Sequence, residues 1–389
     1  MKICILTPRF PFPECGGDLL RINYIARHLK KQGHRLILVS YTEKEPDINS
    51  AKELFDEIYT IRRSRWNSIV YSALFLLRGR PIQCGYYYSK GYLRLFKKVV
   101  EKETPDMYVA HLIRMTPFLD EAGVGERSIV EMTDALSKTY ALTGNAKGSR
   151  LKRFMYSLEK HLIGRYELDV IKRFPKVVLV SPSDIDYLAS LLPAGESRSL
   201  ALHTNGVNLS TKINTAYDSG KICFVGNMVS LQNQDAAIYF AEEIFPKILE
   251  KRPDARFYIV GNHPPKNICN LDNGKNIFVT GFVDDLDGFI SDSCLAVAPI
   301  RIAAGIQNKV LVAMSNSIPT VLTPLIATPI KQLKSGENCF IADDPSEFAD
   351  RCLQLLDDAT LRNSMGRNGY QMVKEHYSWD SLLSGYESF

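Results

Sequence analysis

Short apolar runs alternate with amphipathic helical stretches along this 389-residue chain, and that alternation restricts it to few architectures. Lys2-Ile3-Cys4-Ile5-Leu6 precedes a helical pattern over about 19–31, Gly33 stops it, and Arg35-Leu36-Ile37-Leu38-Val39-Ser40 is the next strand. A run without polar alternation suits a strand covered on both faces, and a strand–helix–strand crossover makes its strands parallel. The pattern breaks once: residues 209–219 are polar and lack periodicity, and alternation restarts at Lys221-Ile222-Cys223-Phe224-Val225-Gly226-Asn227. The chain is therefore expected to be α/β, with two doubly wound parallel sheets in domains of residues 1–208 and 209–375. A closing helix over 376–389, containing Trp379, is expected to pack back on the first domain.

Composition excludes several classes. Hydrophobic residues make up 45% and charged residues 23%, the balance of a globular protein with ample core. No run reaches about 18 uninterrupted apolar residues, so no membrane span is expected. The start reaches Arg9 without a small-residue cleavage pattern, which argues against secretion. Cysteines at 4, 15, 84, 223, 269, 294, 339 and 352 form no CxxC and no metal-ligand spacing with histidine; free thiols in a reducing cytoplasm and no metal site are expected.

The net charge of +5 is unevenly spread. Residues 1–205 carry 32 Lys/Arg against 22 Asp/Glu, and the rest 16 against 21. A basic first half suits an anionic acceptor or a membrane surface, and no nucleic-acid partner is expected. Residues 61–98 join an apolar, aromatic run to flanking Arg and Lys, as a peripheral segment on anionic lipid would; a core-facing helix with a solvated basic edge would look the same.

Chemistry-bearing residues collect where strands end, which is where open α/β sheets bind ligands. A strand over Cys294–Pro299 leads through a small-residue loop into a helix whose Ile306, Val310, Ala313 and Met314 share a face. Such a loop lets backbone N–H groups approach an anion at the positive end of the helix dipole, and Lys309 adds a mobile cation. Gly305, Ile306, Gln307, Asn308 and Lys309 are thus a candidate phosphate seat, although an ordinary strand-to-helix turn has the same signature. Gly16-Gly17 before Asp18 is a second loop of this kind, without the G-x-G-x-x-G spacing. His111, with Arg114 one turn on, and Asp134 follow strands in the first half; Gly261, Asn262, Phe282 and Val283 follow strands in the second. The acidic run at 284–287 reads as helix-cap chemistry.

With these motifs the chain resembles a glycosyltransferase of the GT-B architecture, in the bacterial, mostly retaining, nucleotide-sugar-dependent branch with two C-domain glutamates separated by seven residues. Gly16-Gly17 with Arg21, Gly33-His34, Asn205-Gly206-Val207-Asn208, Phe224-Val225-Gly226-Asn227-Met228 with Asn233 and Asp235, Gly305–Leu311, and Tyr377-Ser378-Trp379 carry the resemblance over nearly the whole chain. It implies two Rossmann-like domains facing a cleft, with a nucleotide diphosphate sugar mainly on the second and the acceptor mainly on the first. It also implies no obligatory metal and no cofactor beyond the donor substrate. Carried over by position, His111 and Lys309 take catalytic parts. Gly16, Gly17, Asn227, Gly261, Phe282, Val283, Gly305, Ile306, Gln307, Asn308, Lys309 and Val312 meet the donor, and Arg114 and Asp134 the acceptor. The implied reaction moves a hexose to a saccharide or lipid-linked acceptor in bacterial surface-polysaccharide assembly; a cytoplasmic location is expected, and the segment 61–98 leaves the inner face of the membrane open.

This chain departs from the family pattern at four places. Ala304 and Val312 stand where the two glutamates belong, Asn227 replaces an arginine, and Gln232-Asn233 replaces a stretch bearing lysine. Val312 cannot accept a ribose hydrogen bond. A non-catalytic homologue that partners an active transferase would explain these losses, and a sugar-nucleotide epimerase shares the fold.

Overall fold

The computed structural model describes residues 1–389 except 15–16, 44, 144–149, 194, 211–216, 303–305 and 389, and except the side chains of 142–143 and 150–156. The chain forms two compact units, Met1–Asn205 with Leu383–Phe389, and Gly206–Leu382.

In the first unit β1 (Lys2–Thr7), β2 (Arg35–Thr42), β3 (Glu57–Arg62), β4 (Met107–His111), β5 (Ser128–Thr133), β6 (Lys176–Leu179) and β7 (Leu200–Leu202) make one sheet. Its order is β3-β2-β1-β4-β5-β6-β7, and every pairing is parallel. Ile3, Cys4, Ile5 and Leu6 are fully buried, as an apolar strand covered on both faces requires. The order reverses at β1, where Ile3 lies opposite Leu36 on one side and Met107 on the other. The carboxyl ends of β1 and β4 therefore flank the crevice that such sheets use for ligands.

The end of the chain is not the single helix expected over 376–389. Helices span Ala359–His376 and Trp379–Leu382, and turns follow. Lys176 Nζ fixes these turns by donating to the carbonyls of Gly385, Tyr386 and Ser388 at 3.0, 2.8 and 2.8 Å. Tyr386 is fully buried in the first unit, and its hydroxyl donates to Glu131 at 3.0 Å.

The second unit repeats the plan with β8 (Asp218–Val225), β9 (Arg256–Val260), β10 (Ile277–Gly281), β11 (Ser293–Ala298), β12 (Thr320–Leu322) and β13 (Phe340–Ile341). Their order is β10-β9-β8-β11-β12-β13, again all parallel, with the reversal between β8 and β11. Phe240, Phe245, Phe257 and Phe348 pack beneath the sheet. β8 opens inside the stretch read as linker, because Asp218 pairs with the start of β11. The helical stretch expected near 235–250 begins earlier and is interrupted: helices Leu231–Tyr239 and Phe245–Lys251 flank a π-helical turn over Phe240–Ile244. Pro246 has no N–H to donate to the Glu242 carbonyl, so the ladder shifts there.

Candidate functional site

Three strands of the second sheet end on a glycine or are followed directly by one. The N–H of Gly226, after β8, donates to the Val260 carbonyl at 2.9 Å, and that of Gly261, after β9, to Gly281 at 3.0 Å. A Cβ on Gly261 would lie 1.7 Å from the Gly226 carbonyl oxygen, and one on Gly226 would lie 2.9 Å from the Asn233 side chain. At Gly261 the backbones approach too closely for any other residue, and at Gly226 a side chain would press on Asn233. Beyond Gly226, the exposed Asn227 folds its side chain back to accept from the Val229 N–H at 3.1 Å, and its carbonyl accepts from Asn233 Nδ2 at 2.8 Å.

The other end of the Asn233 amide, Oδ1, accepts from Lys309 Nζ. Nζ also lies 5.3 Å from the centre of the Phe224 ring. With Val225, Ala298 and Val310, Lys309 lines a small apolar cavity at the ends of β8 and β11, the point of sheet reversal. Burial in these apolar surroundings pushes its pKa down to about 8, and among the described residues no carboxylate pairs with it. The expectation of a mobile cation is corrected: Lys309 is half-buried and anchored by a neutral amide.

The helix that carries it spans Asn308–Ser315. Gln307 is the N-cap, in extended backbone with no side-chain bond to the first turn. Ile306 therefore lies outside the helix and is 38% exposed, which corrects its placement on the buried face of Val310, Ala313 and Met314. Asn308 is exposed, and Val312 is half-buried against the cluster containing Ala296, Ala313 and Ile318. Gly305 and Ala304 lie outside the described residues. The loop before them is held by Arg301, whose guanidinium donates to both Asp235 carboxylate oxygens at 2.7 and 3.1 Å and lies 4.1 Å from the Tyr239 ring centre.

Exposed apolar side chains also follow the strands of this sheet. Phe282 is 68% exposed just past β10, beside half-buried Val283. Val229, Leu231, Ile302, Ile306 and Leu325 complete the exposed large hydrophobics described in this unit, and each follows the carboxyl end of a strand. A cation, a helix start and exposed apolar side chains suit a ligand with an anionic group and a flat apolar body.

The corresponding edge of the first sheet differs. His111 closes β4, is fully buried, and has no hydrogen-bond partner at either ring nitrogen. Burial, aided by the charges of Arg21, Arg9 and Arg114 and opposed by Asp18, pushes its pKa down to about 3. Leu112 follows at φ 71°, ψ 144°, and Thr133 ends β5 at φ 67°, conformations that side-chain-bearing residues rarely adopt. Backbone strain of this kind clusters at functional sites. Asp134 is exposed next to Thr133, and desolvation of its carboxyl by the surrounding protein, together with the charge of Asp184, raises its pKa. Arg114 donates to the neutral side chain of Gln83 at 3.0 Å and lies 5.2 Å from the Tyr87 ring centre. Gly17 opens the helix Gly17–Lys31, where an added Cβ would meet nothing within 4 Å. Gly16 lies outside the described residues.

Sequence reading missed the supports of both edges. Asn233 was noted only as part of a motif, whereas it holds Lys309. Glu131, in the middle of a buried strand, bonds buried Arg21 at 2.8 Å; a carboxylate inside an apolar run was the signal that a cation must meet it.

Residues 219–358 match the family described as Glycosyl transferases group 1. The chain is 21% identical over 394 residues to an uncharacterized 44.6 kDa protein in the cps region of Klebsiella pneumoniae, covering 98% of each. It is 25% identical to the capsular polysaccharide biosynthesis glycosyltransferase CapM of Staphylococcus aureus over 184 residues, 44% of this chain and 47% of that one. The crystal structure of HepE of Anabaena in complex with UDP superposes with a TM-score of 0.60 at 12% identity, over 99% of this chain and 98% of that one. The fold is GT-B, as the sequence predicts.

Proposed function

We propose that this chain is a glycosyltransferase that takes a hexose from a nucleoside diphosphate sugar and transfers it to a saccharide or lipid-linked acceptor in surface-polysaccharide assembly. The observation that carries the donor half is Lys309, a cation anchored by a neutral partner at the reversal of the second sheet. A diphosphate there would restore the full charge of the ammonium and meet the first-turn N–H groups of the helix Asn308–Ser315. Phe282 and the neighbouring exposed apolar side chains supply a surface for the base. The assembly role is supported by the relatives CapM and the protein of the cps region, and the donor class by HepE, whose crystal structures include complexes with UDP and UDP-glucose.

In this reading the first sheet binds the acceptor. His111 contributes a neutral imidazole, and Asp134 and Arg114 orient hydroxyl or anionic groups. Lys309 and the helix dipole stabilise the departing diphosphate, the part a metal plays elsewhere. Retention of configuration and independence of metal rest on the resemblance alone; the anomer formed and turnover in excess chelator check them. A thermal-shift panel of nucleoside diphosphates and nucleotide sugars tests the donor class, since a ligand at 100 times its Kd stabilises the fold by about 2.7 kcal/mol. No shift with any nucleotide would overturn the proposal.

Val312 favours a second reading, a non-catalytic partner of another transferase, because an apolar side chain stands where the resemblance places a ribose-binding carboxylate. A nucleotide shift without donor turnover, together with co-purification of an active transferase, would support it.

A further inference from the structure

The helix Arg65–Leu77 turns an apolar stripe away from the core as well as burying Phe75. Its inner side is set by Ser68 and Phe75, both buried, and by the close approach of Gly85, where a Cβ would lie 2.4 Å from the Tyr71 carbonyl oxygen. The opposite side carries Trp66, Ile69, Val70, Leu74 and Leu77, with 79%, 61%, 52%, 37% and 83% of their surface exposed. These positions recur every three or four residues and form one stripe. The helix contains no acidic residue. Between Glu57 and Glu101 the chain has nine Lys/Arg and no Asp/Glu, an imbalance that the core does not require.

The end of this helix leads into a basic cavity. Gly79 takes a left-handed conformation, and the N–H groups of Gly79 and Arg80 close on the carbonyls of Leu76 and Phe75 at 2.9 and 2.8 Å. This cap fixes the backbone of Arg80 at the rim. The cavity, about 380 Å³, is lined by Arg80, Arg165, Tyr166, Asp169 and Arg173 among others. Arg173 is paired with Asp120 and Asp169. Among the described residues, Arg80 and Arg165 have no carboxylate partner. Two uncommitted arginines therefore face a cavity beside an exposed apolar stripe.

We propose that this face of the first unit docks on the surface of an anionic lipid bilayer. The stripe from Trp66 to Leu77 enters the headgroup and acyl boundary, and Arg80 and Arg165 take a lipid phosphate in the cavity. Charge complementarity selects this occupant. A protein partner binding only through apolar contact would not call for nine cations without an anion, and an aqueous polyanion would not call for exposed Trp66 and Leu77. No described helix is long and apolar enough to cross a membrane, so the contact is peripheral. The inference goes beyond the transfer reading and does not depend on it.

Sedimentation of the full chain with phosphatidylcholine vesicles, with and without phosphatidylglycerol, tests it. Binding is expected only to the anionic vesicles, falling with salt, with a blue shift of Trp66 emission in a Trp379→Phe background. Ile69→Asp with Leu77→Asp should abolish binding without unfolding the protein, since both side chains are exposed. Arg80→Gln with Arg165→Gln should weaken it about 25-fold, roughly five-fold per charge near the surface. Circular dichroism of each variant separates lost docking from lost folding. Absence of vesicle binding, equal binding to neutral vesicles, unchanged binding by folded variants, or a dimer that Leu77→Asp dissolves while vesicles remain unbound would each overturn the proposal.

Discussion

The two sheets reverse strand order in the same way, yet their carboxyl edges are built for different chemistry. In the second unit the reversal holds an ammonium, half-buried and anchored by Asn233, and exposed apolar side chains follow the strands of the same sheet. In the first it holds His111, neutral and fully buried, beside backbone strained at Leu112 and Thr133. One edge offers charge to an anion; the other offers unpaired polar atoms in a fixed frame. The fold decides where ligands gather, and the side chains at the reversal decide what gathers there.

The largest effect should come from Gly261→Ala. Its Cβ would collide with the Gly226 carbonyl oxygen, so the second unit should lose about 3 kcal/mol or more of stability, read as a lower denaturation midpoint. A stable variant would show that the glycine ends are not what sets this edge. The first edge is probed by acid. The folded pKa of His111, about 3, lies below its unfolded value of about 6.5, so the unfolded chain binds the extra proton as pH falls through that window. The wild type should lose about 2 kcal/mol through this group by pH 5, and a folded His111→Asn variant should not. Identical acid profiles would mean that His111 reaches solvent and protonates in the folded state.

Phe282→Ala should weaken nucleoside diphosphate binding by about 1 kcal/mol or more and leave inorganic pyrophosphate unaffected, as calorimetry would show. Equal loss for both ligands would remove the base from this side chain. Gly17→Ala should be the mildest change: an added Cβ meets open space, so the melting temperature should stay within about 2 °C, and any fall in turnover would then report a ligand contact.

The architecture was legible because apolar runs such as Ile3–Leu6 and Ile222–Val225 have a strand's length and no polar alternation, and both sheets formed where they predicted. The helix break at Phe240–Ile244 was legible in principle, since Pro246 forbids the regular ladder. The environment of Lys309 was not. Its position in a first turn suggested a mobile cation, whereas its burial depends on Phe224 and Asn233, more than 70 residues away in sequence. The outward stripe of Arg65–Leu77 was equally hidden, because periodicity shows that a helix has an apolar face but not which way that face turns.

The central claim is that Lys309 seats a nucleoside diphosphate, and calorimetric titration of UDP against wild type and Lys309→Met between pH 7 and 9.5 tests it most directly. At pH 7 the variant should bind about 10- to 100-fold more weakly, the usual contribution of a charge-assisted hydrogen bond. Wild-type affinity should fall as pH rises through the pKa near 8, where the ammonium discharges, and the variant should show no such fall. Equal affinities with parallel pH profiles would place the diphosphate elsewhere.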